Sequence, residues 1–290
     1  MDAHDGRRLV CVQQGLWDEH LGSWRALRNC DVFVESVSLG IHLLSEISHC
    51  SAADGIRSET SPVAVPCHKI VGLQTGGLYQ LPEPWSGQIN IARLLFISSN
   101  PSINELEEYP EKSWELDRTT DFFHNRFTSP AGWVIDRRAL LRNGLRSAPV
   151  QFWRAARDRT AEILQKGKDA VKPGIDFALT EVVHCKSQKE RGVAEALHFC
   201  SGRYLERVLS ISAAKVLIVY GRFAKDAVHR RVGCLMSPLP NGLSLVSIRD
   251  NPRILVFLPH PNAIGPLKSL KDNVGDDGLS RIRAHLKIDI

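Results

Sequence analysis

Two stretches of this chain, LLFISSNPS at residues 94–102 and LVFLPHPN at residues 255–262, decide its fold class. Each is an apolar run of strand length that ends in a proline-containing turn. Each turn carries one side chain that can take part in catalysis, Asn100 in the first and His260 in the second. The carboxyl ends of parallel strands meet at one edge of a sheet, where open α/β folds place their sites. We therefore expect Asn100 and His260 to converge at that edge. A turn-forming Asn-Pro and a structural His are the alternative reading.

Strands and helices alternate from residue 92 onward. Apolar runs at residues 94–98, 177–183, 216–220 and 255–258 predict four strands. Residues 243–248 predict an added antiparallel strand, joined to the last one by the turn Asp250-Asn251-Pro252. Helical spacing of apolar residues in 152–164 and 197–209 predicts two of the connecting helices. The sequence thus predicts an α/β fold with a central, mainly parallel four-stranded sheet that is covered on both faces.

The first part of the chain has a different pattern. Amphipathic spacing predicts helices at residues 16–27 and 34–47, and a loop rich in Ser, Gly and Pro follows at about residues 48–86. We therefore divide the chain into a mostly helical N-terminal extension, residues 1–80, and a main domain, residues 81–290.

Composition restricts the function classes. The 290 residues are 43% hydrophobic, enough for a sizeable core, and no leader-like or membrane-spanning apolar segment is found, so we expect a cytoplasmic protein without a membrane partner. The net charge of +5 permits a polyanionic partner without requiring one. No glycine-rich phosphate motif follows a strand, which argues against a nucleotide cofactor. Seven cysteines in such a chain favour buried thiols or metal ligation over disulfides.

Four segments in order resemble the uracil-DNA glycosylase superfamily, and their layout is closest to its iron–sulfur members. They are PEPWSGQINIARLLFISSNPS, FALTEVVHCK, CSGRYLERVLSISAAKVLIVYGRFA and LPHPNAIGP, which together span residues 82–266. The resemblance implies a three-layer sandwich and a DNA base glycosylase, while residues 1–80 lie outside it.

The resemblance gives Asn100 and His260 catalytic roles. Asn100 would hold a water with its side-chain carbonyl; an amide is no strong base, so its role would be positioning. His260 would donate a hydrogen bond, as a neutral imidazole, to the negative charge that develops on the departing base.

Glu181 and Ser102 depart from the best-known uracil enzymes. Many relatives have an Asn at the place of Glu181; a carboxylate only accepts hydrogen bonds, so it suits the exocyclic amine of cytosine better than uracil O4. If protonated in a dry pocket, Glu181 could also donate to cytosine N3. Ser102 replaces a bulky aromatic and leaves room at carbon 5 of the base. Together they indicate a cytosine enlarged at carbon 5; a one-residue slip of the alignment, or a Glu181–Arg126 pair, is the alternative.

The remaining site predictions concern the base pocket and the DNA. We expect Phe122 or Phe123 to stack on the flipped base, although at least one of them should pack in the core. Asn125 and Arg126 are near enough in sequence to line the same pocket. The predicted DNA contacts, which could equally be ordinary loop residues, are Lys186, Lys189, Arg191, Asn262 and the apolar wedge Ile264.

Four cysteines form the predicted metal centre. Cys185 and Cys200 resemble the second ligand pair of the iron–sulfur members, whose first pair usually comes from an N-terminal Cys-x-x-Cys. This chain has no such motif, so Cys50 and Cys67 would supply the missing ligands, with Cys30 as a substitute for Cys50. The resemblance implies a structural [4Fe–4S] cluster. Zinc at the same thiolates, or buried cysteines without metal, are alternatives.

These predictions describe a monofunctional DNA glycosylase that flips and excises a pyrimidine. The favoured base is a C5-modified cytosine, by analogy with defence against phages whose DNA carries glucosylated hydroxymethylcytosine. Uracil repair is one alternative, and a catalytically weak DNA-binding protein of the same fold is another.

Overall fold

The computed structural model describes residues 16–18, 23–25, 29–60, 65–74, 78–261 and 269–287, with side chains from residue 39 onward. The first described elements are an antiparallel strand pair, β1 (Leu16–Asp18) and β2 (Ser23–Arg25). The helix predicted over residues 16–27 was therefore wrong. Trp17 and Trp24 are register partners in this pair, and aromatic residues around an intervening glycine favour a hairpin over a helix.

Three helices follow, and they only partly match the prediction. The helix predicted at residues 34–47 is confirmed and is longer, α1 (Asn29–Ser48). The predicted loop at residues 48–86 contains two short helices, α2 (Ser51–Arg57) and α3 (His68–Gly72).

From residue 81 onward, the described ranges contain eight further strands and five further helices. In chain order they are β3 (Leu94–Ser98), α4 (Leu116–Asn125), β4 (Val134–Ile135), β5 (Arg138–Ala139), α5 (Gln151–Leu164), β6 (Phe177–Glu181), α6 (Val193–Ile211), β7 (Val216–Tyr220), α7 (Gly221–Val232), β8 (Met236–Pro238), β9 (Leu243–Ile248), β10 (Asn251–Leu258) and α8 (Leu270–His285).

The central sheet has six strands in the order β6-β3-β7-β10-β9-β8. The first four are mutually parallel, while β9 and β8 continue the sheet in antiparallel pairing. All four predicted parallel strands and the antiparallel β9 are confirmed, but the sheet is larger than the predicted four strands. The β9–β10 turn consists of Arg249 and Asp250, both at positive φ, so β10 begins at Asn251 instead of within a longer turn.

Alternate residues of each parallel strand enter two separate cores. Leu95 and Ile97 belong to the core that also contains α6 and α7, whereas Leu94 and Phe96 belong to the core that contains α5 and α8. Helices therefore cover both faces of the sheet, which explains why its strands are continuous apolar runs. The architecture is α/β with helical layers on either side of a mostly parallel sheet.

The helices before residue 80 are part of the same body. Leu44 and Ile47 of α1 and Ile70 of α3 have no exposed surface and lie in the core that α6 shares with the sheet. Within the described ranges, no helix combines the length and the apolar character needed to cross a membrane.

Candidate active site

The topology brings the two predicted catalytic residues to the same edge of the sheet. Asn100 lies two residues after β3 and His260 two residues after β10, and both strands run parallel to β7, which lies between them. Neighbouring strands lie about 4.8 Å apart, so the strands that carry the two residues are separated by about 10 Å. Both turns therefore flank the carboxyl end of β7.

Hydrogen bonds fix the orientation of the Asn100 side chain. Its Nδ2 donates to the Pro101 carbonyl at 2.9 Å and to Ser187 Oγ at 3.1 Å, in the loop that follows β6. The hydrogen-bond network assigns the amide orientation, and it makes Oδ1 the acceptor that Asn100 can offer to a water or a ligand.

His260 lies above the start of α7. A Cβ atom added to Gly221, the first residue of α7, would lie 3.6 Å from His260 Cβ and 3.7 Å from His260 Cδ2. Gly221 also has a φ of +81°, which a residue with a side chain rarely adopts. Burial lowers the pKa of His260 more than the nearby Glu190 carboxylate raises it. The imidazole is therefore neutral at pH 7.

Glu190 lies near both turns and was not among the predicted site residues. Ser99, the neighbour of Asn100, donates from Oγ to Glu190 Oε1 at 2.5 Å, while the charge of Glu190 acts on His260. Lys189 and Glu190 both have positive φ, at 53° and 56°, in the loop between β6 and α6. No sequence signal marks this acid, because KERG reads as an ordinary solvated loop.

Below this edge lies a buried ionic network that sequence reasoning also missed. Arg126 binds Glu83 at 2.8 Å and Glu107 at 2.5 Å, and Lys186 lies 3.5 Å from Glu107 and 3.4 Å from the centre of the Tyr109 ring. All four charged side chains are at most 8% exposed. Burial alone would raise the pKa of Glu83, but Arg126 and Lys186 lower it to about 2. Glu83 is therefore ionised, and Tyr109 donates a hydrogen bond to it.

Glu181 lies next to this network, and its pKa is shifted in the opposite direction to that of Glu83. It ends β6 beside Ser98 of β3 and is 5% exposed. Burial, reinforced by the charge of Glu83, raises the pKa of Glu181 well above its ordinary value. Its Oε2 is buried without a hydrogen-bond partner. Burial therefore favours the neutral form of the Glu181 carboxyl. Arg126, which the sequence left open as a partner of Glu181, pairs with Glu83 and Glu107 instead.

The aromatic and polar residues predicted for the base pocket lie mostly in the core. Phe122 and Phe123 are at most 1% exposed and pack edge-to-face on Tyr109, so neither offers an open stacking surface. Asn125 donates to Asp121 and accepts from Gln88. Ser102 is exposed, two residues beyond Asn100.

Of the residues predicted to contact DNA, one is buried, two are exposed and two lie outside the described residues. Lys186 is 1% exposed, so its ammonium does not reach the surface and is not placed to contact phosphate. A lysine in a loop is usually predicted to be exposed to solvent. Here the ion pair with the buried Glu107 keeps Lys186 in the interior. Lys189 and Arg191 are exposed in the loop that carries Glu190. Asn262 and Ile264 lie outside the described residues.

The structure brings the four predicted cysteines into one buried region. Cys50 and Cys67 precede α2 and α3, Cys185 follows β6 and Cys200 lies in α6. All four are buried and free of disulfides. Burial raises the pKa of Cys67 to about 11, with a contribution from Cys50, and it raises the pKa of Cys185 well above its ordinary value, with contributions from the other three cysteines. Only thiols that lie near one another interact in this way.

Two hydrogen-bond donors point at these sulfur atoms. The His184 N–H lies 3.5 Å from Cys200 Sγ, and the Tyr204 hydroxyl lies 3.4 Å from Cys50 Sγ. Such donors stabilise ligating thiolates. In the described part of the chain, no three His, Cys, Asp or Glu side chains are close enough together to hold a single metal ion.

Comparison with protein-family models and with curated proteins gives no match for this chain.

Proposed function

We propose that this protein is a monofunctional DNA glycosylase that excises a pyrimidine, with a C5-modified cytosine as the preferred base. The observation that carries the proposal is the placement of Asn100 and His260 on strands that flank β7 at one sheet edge. The two turns lie about two strand spacings apart, and they carry an acceptor for a water and a neutral imidazole donor.

In the proposed reaction, Asn100 Oδ1 accepts a hydrogen bond from a water that adds through its oxygen to C1′ of the extruded nucleotide. The C1′–N1 bond breaks and its electron pair leaves with the base. His260 donates a hydrogen bond to the oxygen of the base on which negative charge develops. One proton of the water ends on the base, so the products are a free pyrimidine and an abasic site.

Glu181 is the proposed base-reading group. As a neutral acid it both donates and accepts, so it can pair with cytosine N3 and the exocyclic amine. Its carboxyl is almost inaccessible, so contact with a base requires the edge to open by a local movement.

The neutral state of Glu181 also favours a second candidate, the removal of uracil. A carboxylic acid can accept a hydrogen bond from uracil N3–H and donate one to O4, as an amide does. Uracil is disfavoured only by an ionised Glu181, which cannot donate, and burial favours the neutral form. Ser102 still favours a base with a substituent at carbon 5, because it is small.

We further propose that Cys50, Cys67, Cys185 and Cys200 hold a structural [4Fe–4S] cluster. A bound cluster would let the thiols ionise and would tie the segments before α2 and α3 to α6.

The proposed activity is tested with duplex and single-stranded oligonucleotides that contain cytosine, hydroxymethylcytosine, its glucosylated form or uracil. After incubation, hot alkali cleaves strands at abasic sites. We expect cleavage at the modified cytosines to exceed cleavage at uracil and at cytosine. A uracil preference would establish the second candidate, and intact strands throughout would overturn both.

A further inference from the structure

Helix α7 carries an unbalanced positive charge. It contains four cations, Arg222, Lys225, Arg230 and Arg231, against one acid, Asp226. Within the described ranges none of these five side chains forms an ion pair. The partners of the cations are uncharged: an aromatic ring for Arg222 and for Lys225, and a backbone carbonyl of α6 for Arg231. The positive charge of α7 is therefore not neutralised by the protein itself.

The side of α7 that faces β10 is basic along its length. Arg222, Lys225 and His229 follow one another at helical spacings of three and four residues, so they share one side of the helix, which we call the basic face. All three are exposed. Lys225 Nζ lies 5.3 Å from the centre of the Phe257 ring, and the His229 ring stacks on the same ring at 4.7 Å.

The basic face begins at the candidate active site. Gly221 directly precedes Arg222, and a Cβ atom added to Gly221 would lie 3.6 Å from His260 Cβ. Phe257, which Lys225 and His229 contact, lies three residues before His260 on the same strand. The basic face thus follows the strand that carries one of the two proposed catalytic residues.

Helix stability does not account for the cation at the start of this face. The amino end of a helix carries partial positive charge from its free N–H groups, so acids are favoured in the first turn and cations in the last. The last turn of α7 conforms, with His229, Arg230 and Arg231. The first turn contains Arg222 and no acid. Arg222 therefore adds charge to an end that is already positive, which favours an anion in front of it.

The surroundings of His260 do not cancel this charge. Glu190, whose charge acts on His260, already accepts the hydrogen bond from Ser99, and its neighbours Lys189 and Arg191 are exposed cations. Residues 189–191 and 221–226 together contain four cations and two acids. The side of the site on which His260 lies is positive.

We infer that the basic face of α7 binds the DNA backbone beside the extruded nucleotide, a proposal that rests on the proposed function. A nucleotide that reaches His260 brings the phosphates on either side of its sugar to the start of α7. Arg222 and Lys225, about 4.5 Å apart along the helix axis, each contact one of the nearest phosphates. They supply the surface cations that the buried Lys186 cannot.

Binding to a duplex with a stable abasic analogue opposite guanine tests the inference, because no turnover is needed. The test variant is Arg222→Gln/Lys225→Gln. The matched control, Lys172→Gln/Lys215→Gln, also removes two positive charges. Both control lysines are exposed, and they lie before β6 and β7, at the opposite edge of the sheet. A third variant, Arg222→Lys/Lys225→Arg, retains both charges, and circular dichroism checks that all three variants fold.

We expect the test variant to bind the duplex at least about tenfold more weakly at 0.1 M salt, with the slope of log affinity against log salt reduced by about 1.8 for two lost phosphate contacts. The control and the charge-retaining variant should stay within about twofold of the wild type. A test variant that matches the control in affinity and slope, a charge-retaining variant as weak as the test variant, or a wild type that binds no duplex would overturn the inference.

Base release by the wild type is measured on the same preparation and separates this inference from the proposed function. Release of base together with a test variant that binds as well as the control would leave the glycosylase intact and remove the role of the basic face. Weakened binding by the test variant, with no base released by the wild type from any substrate, would leave a DNA-binding face on a protein that is not a glycosylase.

Discussion

The Ser99 hydroxyl donates a 2.5 Å hydrogen bond to the Glu190 carboxylate, whose charge also acts on His260. One acid from the loop after β6 thus joins the turn that carries Asn100 to the turn that carries His260. The two turns belong to strands on either side of β7, and the Glu190 carboxylate lies near both of them. Glu190 is in this view a positioning residue for both proposed catalytic groups.

Substituting Glu190 should change the titration of His260. Glu190 raises the pKa of His260, so Glu190→Gln should lower that pKa further below its ordinary value. If catalysis needs neutral His260, activity falls as the pH drops through this pKa, and the variant should move the fall to lower pH. Histidine NMR titration and the pH dependence of kcat/KM measure both effects. Glu195→Gln, at an exposed acid of α6, is the control; an unchanged or raised His260 pKa in Glu190→Gln would contradict this role.

Arg126 should be essential to stability rather than to base recognition. Arg126→Met removes the cation that binds both buried acids, Glu83 and Glu107, and leaves only Lys186 near them, which should lower the free energy of unfolding by about 3–5 kcal/mol. Arg118→Met removes an exposed ion pair to Glu108 and should lower it by less than about 1 kcal/mol. Urea unfolding at pH 7 compares the two variants. Equal losses would show that the buried network is not the stabilising element.

Replacing Glu181 should stabilise the protein at neutral pH, whereas replacing Arg126 should destabilise it. Its folded-state pKa is raised, so the favourable contribution of its protonation is complete below the unfolded pKa and is lost as the pH rises through the folded pKa. Glu181→Gln retains a neutral donor and acceptor and should gain stability over the wild type as the pH increases from 4 to 8. Denaturant unfolding across this range measures the difference. A difference that does not change with pH would mean that Glu181 is ionised in the folded protein.

The four buried cysteines should make the freshly purified protein brown. Cys185→Ala should lose the visible absorption and much of the thermal stability, because a buried ligand cannot be replaced from solvent. Cys234→Ala, at the exposed free cysteine, is the matched control and should keep both properties. Elemental analysis for iron and zinc identifies the metal. Colourless protein, with neither metal after anaerobic purification, would remove this part of the account.

The sequence predicts the sheet well because its central strands are buried on both faces. Runs such as residues 94–98 and 216–220 are continuously apolar, and only a parallel strand or a buried helix produces that pattern. Their order along the chain then brings Asn100 and His260 to one edge. The short edge strand β8 was missed because it is exposed and contains a proline, Pro238.

Buried charge is what the sequence could not reveal. Arg126 and Lys186 look like surface residues, and their burial becomes understandable only once Glu83 and Glu107 are placed beside them in space. The four residues come from four separate segments of the chain. The contact of Ser99 with Glu190 likewise joins residues 91 positions apart, and no local pattern encodes it.

Direct detection of the released base by mass spectrometry tests the central claim, that Asn100 and His260 act on one extruded pyrimidine. The wild type should release free modified cytosine from DNA that carries hydroxymethylated or glucosylated cytosine. Asn100→Ala should release none while still binding the DNA, and His260→Ala should be slower by about 10² or more. Asn100→Ala that released base at the wild-type rate, or a wild type that released none from any of these DNAs or from uracil-containing DNA, would contradict the account.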